Sequence, residues 1–422
     1  MNTLDVFLHA ERAGSLERLP GAELRFTYDA AWLASADAPV SLSLPLREEA
    51  FEDRECRPFF AGLLPEGEFL KSVARAFHIS AENAFTVLEE IGGECAGAIS
   101  LVAPNSEPPF AVAAPPEWLS GDRLEHLLAK LPSRPLMIGP DDDEGVRLSL
   151  AGTRDKLPLL LDGDRIGVTR GRPPSTHIVK TPIPTVAGMV ANEAYCMALA
   201  GEVGLEVAAA TPIRAGEREA LLVERYDRIR HGHEVRRIHQ EDFCQAFGKP
   251  PGEKYESEGG PGMAACAALI RTHAAAPGPS LLRFLDAALF NVLIGNADAH
   301  SKNYSLLLDG PGAPRLAPLY DLLSTRVYDR RFGRKMVMKY GGEYRPDRIR
   351  GRHLDRIGVD LGIAGRRVRK HATDISERAV SAAERARLRL PAPWQEAAVI
   401  AGIVEVVEEF AETLRRAAAE PT

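Results

Sequence analysis

The chain has 422 residues, 45% of them apolar and 26% charged, with a net charge of −7. That length suits two or three domains with full hydrophobic cores, and the acidic balance excludes a chain built as a whole to coat nucleic acid. Five scattered cysteines without a CxxC pair exclude a disulfide scaffold; with no signal peptide and no apolar run of membrane length, they point to a cytoplasmic protein with reduced thiols.

Taken in order, residues 5–9, 23–28 and 40–44 read as short strands, the last on the period-two alternation Ser41-Leu42-Ser43-Leu44. Residues 66–77 read as a helix, and 80–91 as a second one capped by Ser80. The glycines of residues 92–97 serve turns and packing, since no lysine follows and no G-x-G-x-x-G forms. Five prolines in residues 103–118 mark a linker. A short helix over 122–131 leads to a loop over 136–144, whose acidic tip Asp141-Asp142-Asp143-Glu144 is a solvated turn.

A strand-like piece over 146–150 then meets the small-residue turn Ala151, Gly152, Thr153, Arg154, Asp155 and Lys156, followed by a strand over 157–161. Small residues between strands let backbone N–H groups approach phosphates. The strand over 176–180 ends in Lys180, placed like the lysine that pairs with nucleotide phosphates in kinases. A helix over 189–203 carries Glu193, placed either to pair with Lys180 or as a surface acid favoured by the helix dipole. Residues 211–214 and 219–225 make a hairpin, and Glu224, Arg225 and Tyr226 leave it where a kinase hinge would read the adenine edge. Residues 239–247 read as the start of a helix, and 254–263 as a Gly/Pro-rich loop.

The most informative stretch is residues 290–321. An apolar helix over 281–294 stops at Gly295-Asn296, and a polar loop follows with Asp298, His300, Lys302 and Asn303. Strands over 304–308 and 315–320 flank a turn; paired as a hairpin about 5 Å apart, they set Asn303 next to Asp321. One carboxylate then stands beside an Asn/Asp pair suited to a hard cation such as Mg²⁺. Singly, these residues are ordinary turn formers. Together they resemble a protein-kinase active site, where an Asp takes the acceptor proton and an Asn five residues on and a later Asp bind metal. Beyond them, residues 335–339 read as strand-like, and 394–418 as one long amphipathic helix. The basic run over 365–370 is either a solvated helix face or a phosphate-contacting patch.

The stretches LLPEGEF, EEIGGECAGAISL, RLSLAGTRDKLPLLL, HIVK, NEAYCMALA, LLVERYDR, HQEDFCQAFG, KYESEGGPG, NVLIGNADAHSKNYSLLL and LAPLYDLLS carry a resemblance to a known family. They occur in the order found in the HipA family of bacterial serine/threonine kinase toxins, which this chain resembles. The resemblance implies an α+β, two-lobed protein-kinase-like fold: an added N-terminal α/β subdomain (1–102), an N-lobe (119–228) and a largely helical C-terminal lobe (229–422). It implies Asp298 as general base and Asn303 and Asp321 as Mg²⁺ ligands. ATP would be bound by Ala151, Gly152, Thr153, Arg154, Asp155, Lys156, Lys180, Glu224, Arg225, Tyr226, His300, Ser301, Lys302, Asn303, Tyr320 and Asp321. Ser149 aligns with an autophosphorylated, self-inactivating serine. Family members phosphorylate a translation enzyme, glutamyl-tRNA synthetase or another aminoacyl-tRNA synthetase. They pair with a helix-turn-helix antitoxin, and the complex binds operator DNA. The alternatives are a small-molecule kinase of the same fold and a catalytically quiet DNA-bound co-repressor.

Overall fold

The computed structural model describes residues 2–421 apart from 36–37, 108–109, 111–114, 133–147, 150, 170, 233, 310–311 and 332. The acidic tip Asp141–Glu144 lies outside the described residues. The chain divides into two compact units: Met1–Thr181 with Ile213–Gly252 and Leu306–Gly312, and Pro182–Pro212 with Glu253–Ser305 and Ala313–Thr422.

The first unit begins with an antiparallel sheet. β1 (Thr3–Leu8) lies between β2 (Glu11–Arg18) and β5 (Ile99–Val102), and β3 (Leu24–Tyr28) pairs with β2. A short helix, Ala30–Ser35, follows β3, and then come α1 (Asp53–Gly62), α2 (Gly67–Ala76) and α3 (Ala84–Ile91). Phe26, Phe59, Phe60 and Phe85, all fully buried, dominate the core between helices and sheet. That core continues without a break through Leu157, Val179 and Leu222. These belong to a second sheet of order β11-β12-β10-β8-β9-β6. Its strands are β6 (Glu117–Trp118), β8 (Lys156–Asp162), β9 (Arg165–Val168), β10 (His177–Lys180), β11 (Ala210–Ala215) and β12 (Arg218–Glu224). Helix α4 (Gly121–Lys130), capped by Ser120, packs on β12. A two-residue parallel pair joins β4 (Glu94–Cys95) to β7 (Leu148–Ser149). A hairpin of β13 (Arg228–His231) and β14 (Glu234–Arg237) precedes β15 (His239–Asp242).

The second unit is largely helical: α5 (Met189–Glu202), α6 (Met263–His273), α7 (Pro277–Leu293), α8 (Gly351–Leu361), α9 (Gly365–Arg389) and α10 (Ala398–Ala419). Helix α9 is the post on which α5, α7, α8 and α10 pack. Its buried stripe of Ala372, Ile375, Ala379, Ala382 and Ala386 recurs at steps of three and four, and small side chains there let neighbouring helices approach closely. Among the described residues no helix is long and apolar enough to cross a membrane.

Several local expectations are corrected. Residues 40–44 form a turn closed by Leu44 N–H to Ser41 O, not a strand; Val40 and Leu44 join the hydrophobic core, and the main chain of both engages the Tyr28 hydroxyl. Helix α3 starts at Ala84 under an Asn83 cap, while Ser80 accepts from Glu82 N–H in a local turn. Residues 239–242 are strand, and the helix after them is only Phe243–Ala246, started by an Asp242/Gln245 capping box. The second limb of the hairpin after Asn303 is regular only over Arg315–Leu316, and residues 335–339 are not a strand. The C-terminal helix is broken into Ala392–Gln395 and α10.

Candidate active site

The candidate residues fall into two sets, one carried by each unit. In the first unit, the turn Ala151–Asp155 links β7 to β8. Its main chain is tied down where Glu66 N–H donates to Gly152 O at 3.0 Å. Gly152 has φ +113°, and a Cβ there would sit 2.5 Å from Lys156 Nζ, so the position needs glycine. Lys156 in turn donates to Ala151 O. In the antiparallel register of β8 and β10, Lys156 lies directly opposite Lys180. Directly opposed residues share a face with Cβ atoms about 5 Å apart, and like charges so placed repel. Both lysines are buried, at 7% and 8% exposure. Two sequestered cations on one face suit a polyphosphate ligand. Asp155 ends the turn, and burial raises its carboxyl above the usual range against the opposing pull of Lys156.

At the exit of β12, Glu224 is exposed and Tyr226 half-buried. Arg225 behaves otherwise. Its guanidinium is 1% exposed and pairs with Glu94 at 3.0 Å and Asp227 at 2.8 Å. Its N–H donates to Thr176 O, and its carbonyl accepts from Arg228 N–H. The Arg225 side chain thus anchors the strand exit. Arg228 pairs with the same two acids at 2.8 and 3.0 Å, and Arg237 donates to Ser100 and to the Gly97 and Ile99 carbonyls. These cations hold the Asp227 and Glu94 carboxyls below the usual range although burial opposes it. Ser149 is fully buried, its hydroxyl donating to Leu63 O at 2.7 Å and its strand paired with Cys95.

In the second unit, α7 ends at Gly295. There φ is +62°, and a Cβ would approach Arg326 Cβ to 2.7 Å. The loop that follows hangs on side-chain hydrogen bonds. Asn291 binds the Tyr304 hydroxyl, Asn296 binds Asn291, and Asn296 accepts from Asp298 N–H at 3.2 Å. Thr325 accepts from Ala297 N–H and donates to Gly295 O. So held, Asp298 stands at the loop tip with its side chain 56% exposed. Its Oδ1 accepts from the Tyr255 hydroxyl at 3.1 Å, and its Oδ2 lies 3.9 Å from His300 Nε2. Asn303 Nδ2 donates to Asp298 O at 3.2 Å. Tyr320 brings the far limb back, its hydroxyl donating to Lys302 O at 2.8 Å, so the neighbours Asn303 and Asp321 lie in one locality. Asp321 itself adopts φ +53°, a left-handed conformation that Asp tolerates better than most residues.

His300 is buried, and its pKa falls to about 3 through desolvation and the cations Lys254 and Lys302, with Asp321 acting the other way. Its ring is neutral near pH 7. Ser301 is fully buried and donates to Lys254 O, so it braces the loop, as Tyr320 does. Glu193 is fully buried, which excludes the surface-acid alternative. Among the described residues no group of three or more His, Cys, Asp and Glu side chains stands ready to hold a metal. The oxygen donors of Asn303 and Asp321 nonetheless fit a hard cation, which takes amide and carboxylate oxygens. Sequence reasoning missed Tyr255 and the Asn291–Asn296–Thr325 supports; the KYE stretch at 254–256 was the only trace of the former.

A family model described as the HipA-like C-terminal domain matches residues 148–383, and one for the HipA N-terminal domain matches residues 4–102. Y4mE of Sinorhizobium fredii, named as a candidate kinase, is 44% identical over 346 residues, covering 81% of both chains. The serine/threonine-protein kinase toxin HipA of Shewanella oneidensis is 31% identical over 369 residues, 84% of this chain and 82% of that one. A solved structure of Shewanella oneidensis HipA with HipB and operator DNA has a TM-score of 0.85 at 27% identity, covering 99% of this chain and 100% of that one. The chain belongs to the HipA family, with its α+β kinase-like fold, and is a kinase.

Proposed function

We propose that this protein is an ATP- and Mg²⁺-dependent serine/threonine protein kinase acting as the toxin of a toxin–antitoxin pair. The observation that carries the reading is the single anchored loop assembly of Asp298, His300, Lys302 and Asn303 beside Asp321. In this reading Asp298 orients the acceptor hydroxyl and takes its proton. Lys156 and Lys180 bind phosphates, as do Lys302 and neutral His300, and Glu224 and Tyr226 border the adenine. Asn303 and Asp321 would hold Mg²⁺, which supplies charge neutralisation for the transferring phosphoryl group. The family resemblance supports an aminoacyl-tRNA synthetase as protein substrate. The relative solved with HipB and operator DNA supports a helix-turn-helix antitoxin and operator DNA as partners.

Self-inactivation at Ser149 belongs to the same reading. Phosphate there adds about two negative charges, and a buried hydroxyl bonded to Leu63 O leaves no room for them. The β4–β7 pair would part, and the Ala151–Lys156 turn would move with it. The test is intact-protein mass after incubation with ATP and Mg²⁺. One phosphate on the wild type, lost in Ser149→Ala and absent in Asp298→Asn although ATP binds, is the expected result. Unchanged labelling of Asp298→Asn would refute the base.

A further inference from the structure

Three tethers fix the short segment Lys254-Tyr255-Glu256 beside the loop that bears Asp298. Ser301 donates to Lys254 O at 3.3 Å, Glu256 N–H donates to Val337 O at 3.2 Å, and Lys339 N–H donates to Glu256 Oε2 at 2.6 Å. Val337 N–H in turn donates to Ala297 O at 3.0 Å, next to Asp298. Between these ties the Tyr255 ring rests against the His300 ring, centroids 5.6 Å apart, and its hydroxyl meets Asp298 Oδ1. An Asp side chain more than half exposed ordinarily samples several rotamers. A tethered phenol bonded to one oxygen selects one of them.

We propose that Tyr255 is a positioning residue for phosphoryl transfer: its hydroxyl holds one oxygen of the Asp298 carboxylate and so directs the other toward the acceptor hydroxyl. The inference rests on Asp298 being the base. The phenol neither gains nor loses a proton in the reaction; it fixes an orientation, which is where much of the rate of such transfers originates.

The test compares wild type, Tyr255→Phe, Asp298→Asn and the double variant as full-length chains. The readouts are the initial rate of phosphate incorporation at saturating ATP and Mg²⁺, and ATP affinity by equilibrium dialysis. Tyr255→Phe keeps the ring against His300 and removes only the hydroxyl. It is expected to slow incorporation about tenfold, the scale of one hydrogen bond to a charged group, with ATP affinity and melting temperature unchanged. The double variant should be no slower than Asp298→Asn. A Tyr255→Phe rate within about twofold of wild type while Asp298→Asn is dead would overturn the positioning role alone. Equal loss of rate and ATP affinity would make Tyr255 structural and overturn it too. Active Asp298→Asn, or a wild type that incorporates no phosphate, would remove the base assignment and this inference with it.

Discussion

Asp227→Asn tests whether the buried charges behind β12 hold the first unit together. The substitution keeps volume and an acceptor for Gly97 N–H, which donates to Asp227 at 2.7 Å. It removes the countercharge of Arg225, bound at 2.8 and 3.0 Å, and of Arg228, bound at 3.0 Å. Arg225, Arg228 and Arg237, all buried, would then face Glu94 as the one remaining acid of this cluster. Stripping a partner from such a buried pair costs about 3–5 kcal/mol, a large share of the roughly 5–15 kcal/mol that stabilises a domain. The urea midpoint should fall by about 1–2 M. Trp394→Phe in both proteins leaves Trp32 and Trp118, both in the first unit, as the fluorescent reporters. The sign with pH follows from the depressed Asp227 pKa. Its stabilisation is complete above the unfolded value near 4 and is lost as pH falls below it, so the two proteins should converge in acid. A loss under about 1 kcal/mol at neutral pH would refute the reasoning, since surface pairs alone are worth that little.

Two further outcomes concern single buried positions. Glu241 is buried, accepts from Ser41 Oγ at 2.6 Å and Leu42 N–H at 3.0 Å, and has its carboxyl pushed up to about 7 by desolvation. A raised acid stabilises the fold below its unfolded pKa and loses that contribution as pH climbs through about 7; Glu241→Gln should show a flatter stability profile over pH 4.5 to 7.5 in thermal melts, and an identical slope would contradict this. Gly295→Ala combines a left-handed backbone with a 2.7 Å clash on Arg326; it should cost about 2 kcal/mol or more in chemical unfolding and slow phosphoryl transfer through Asp298, and a neutral result would mean the turn can relax.

The loop from Gly295 to Asn303 was legible because its chemistry is local. An apolar helix, a glycine stop and the Asp298–Asn303 spacing lie close together in the chain. Tyr255 was not, because its partner is 43 residues away and a tyrosine in a Gly/Pro-rich loop has no periodicity. The burial of Arg225 was hidden for the same reason: its acid at Glu94 is 131 residues distant, and only folding shows a surface-looking arginine to be interior. Alternation misled at residues 40–44, where Ser41 is fully buried, Leu42 only half-buried, and the hydrogen bonds close a turn. At α3, Ser80 and Asn83 are both good caps, and the Ser80 side chain was satisfied one turn too early.

The two sets of candidate residues are supported by different kinds of bond. Behind the β12 exit stand guanidinium and carboxylate groups; under Asp298 stand the amides of Asn291 and Asn296 and the hydroxyls of Thr325 and Tyr304. None of that second group changes charge between about pH 5 and 9, and neutral dipoles are little screened by salt. The perch of Asp298 is thus buffered against the cell's ionic weather. Where turnover responds to acid or to salt, the response belongs to the reacting groups, to the Glu256 carboxylate tied to Lys339 N–H, and to the charged struts of the chain.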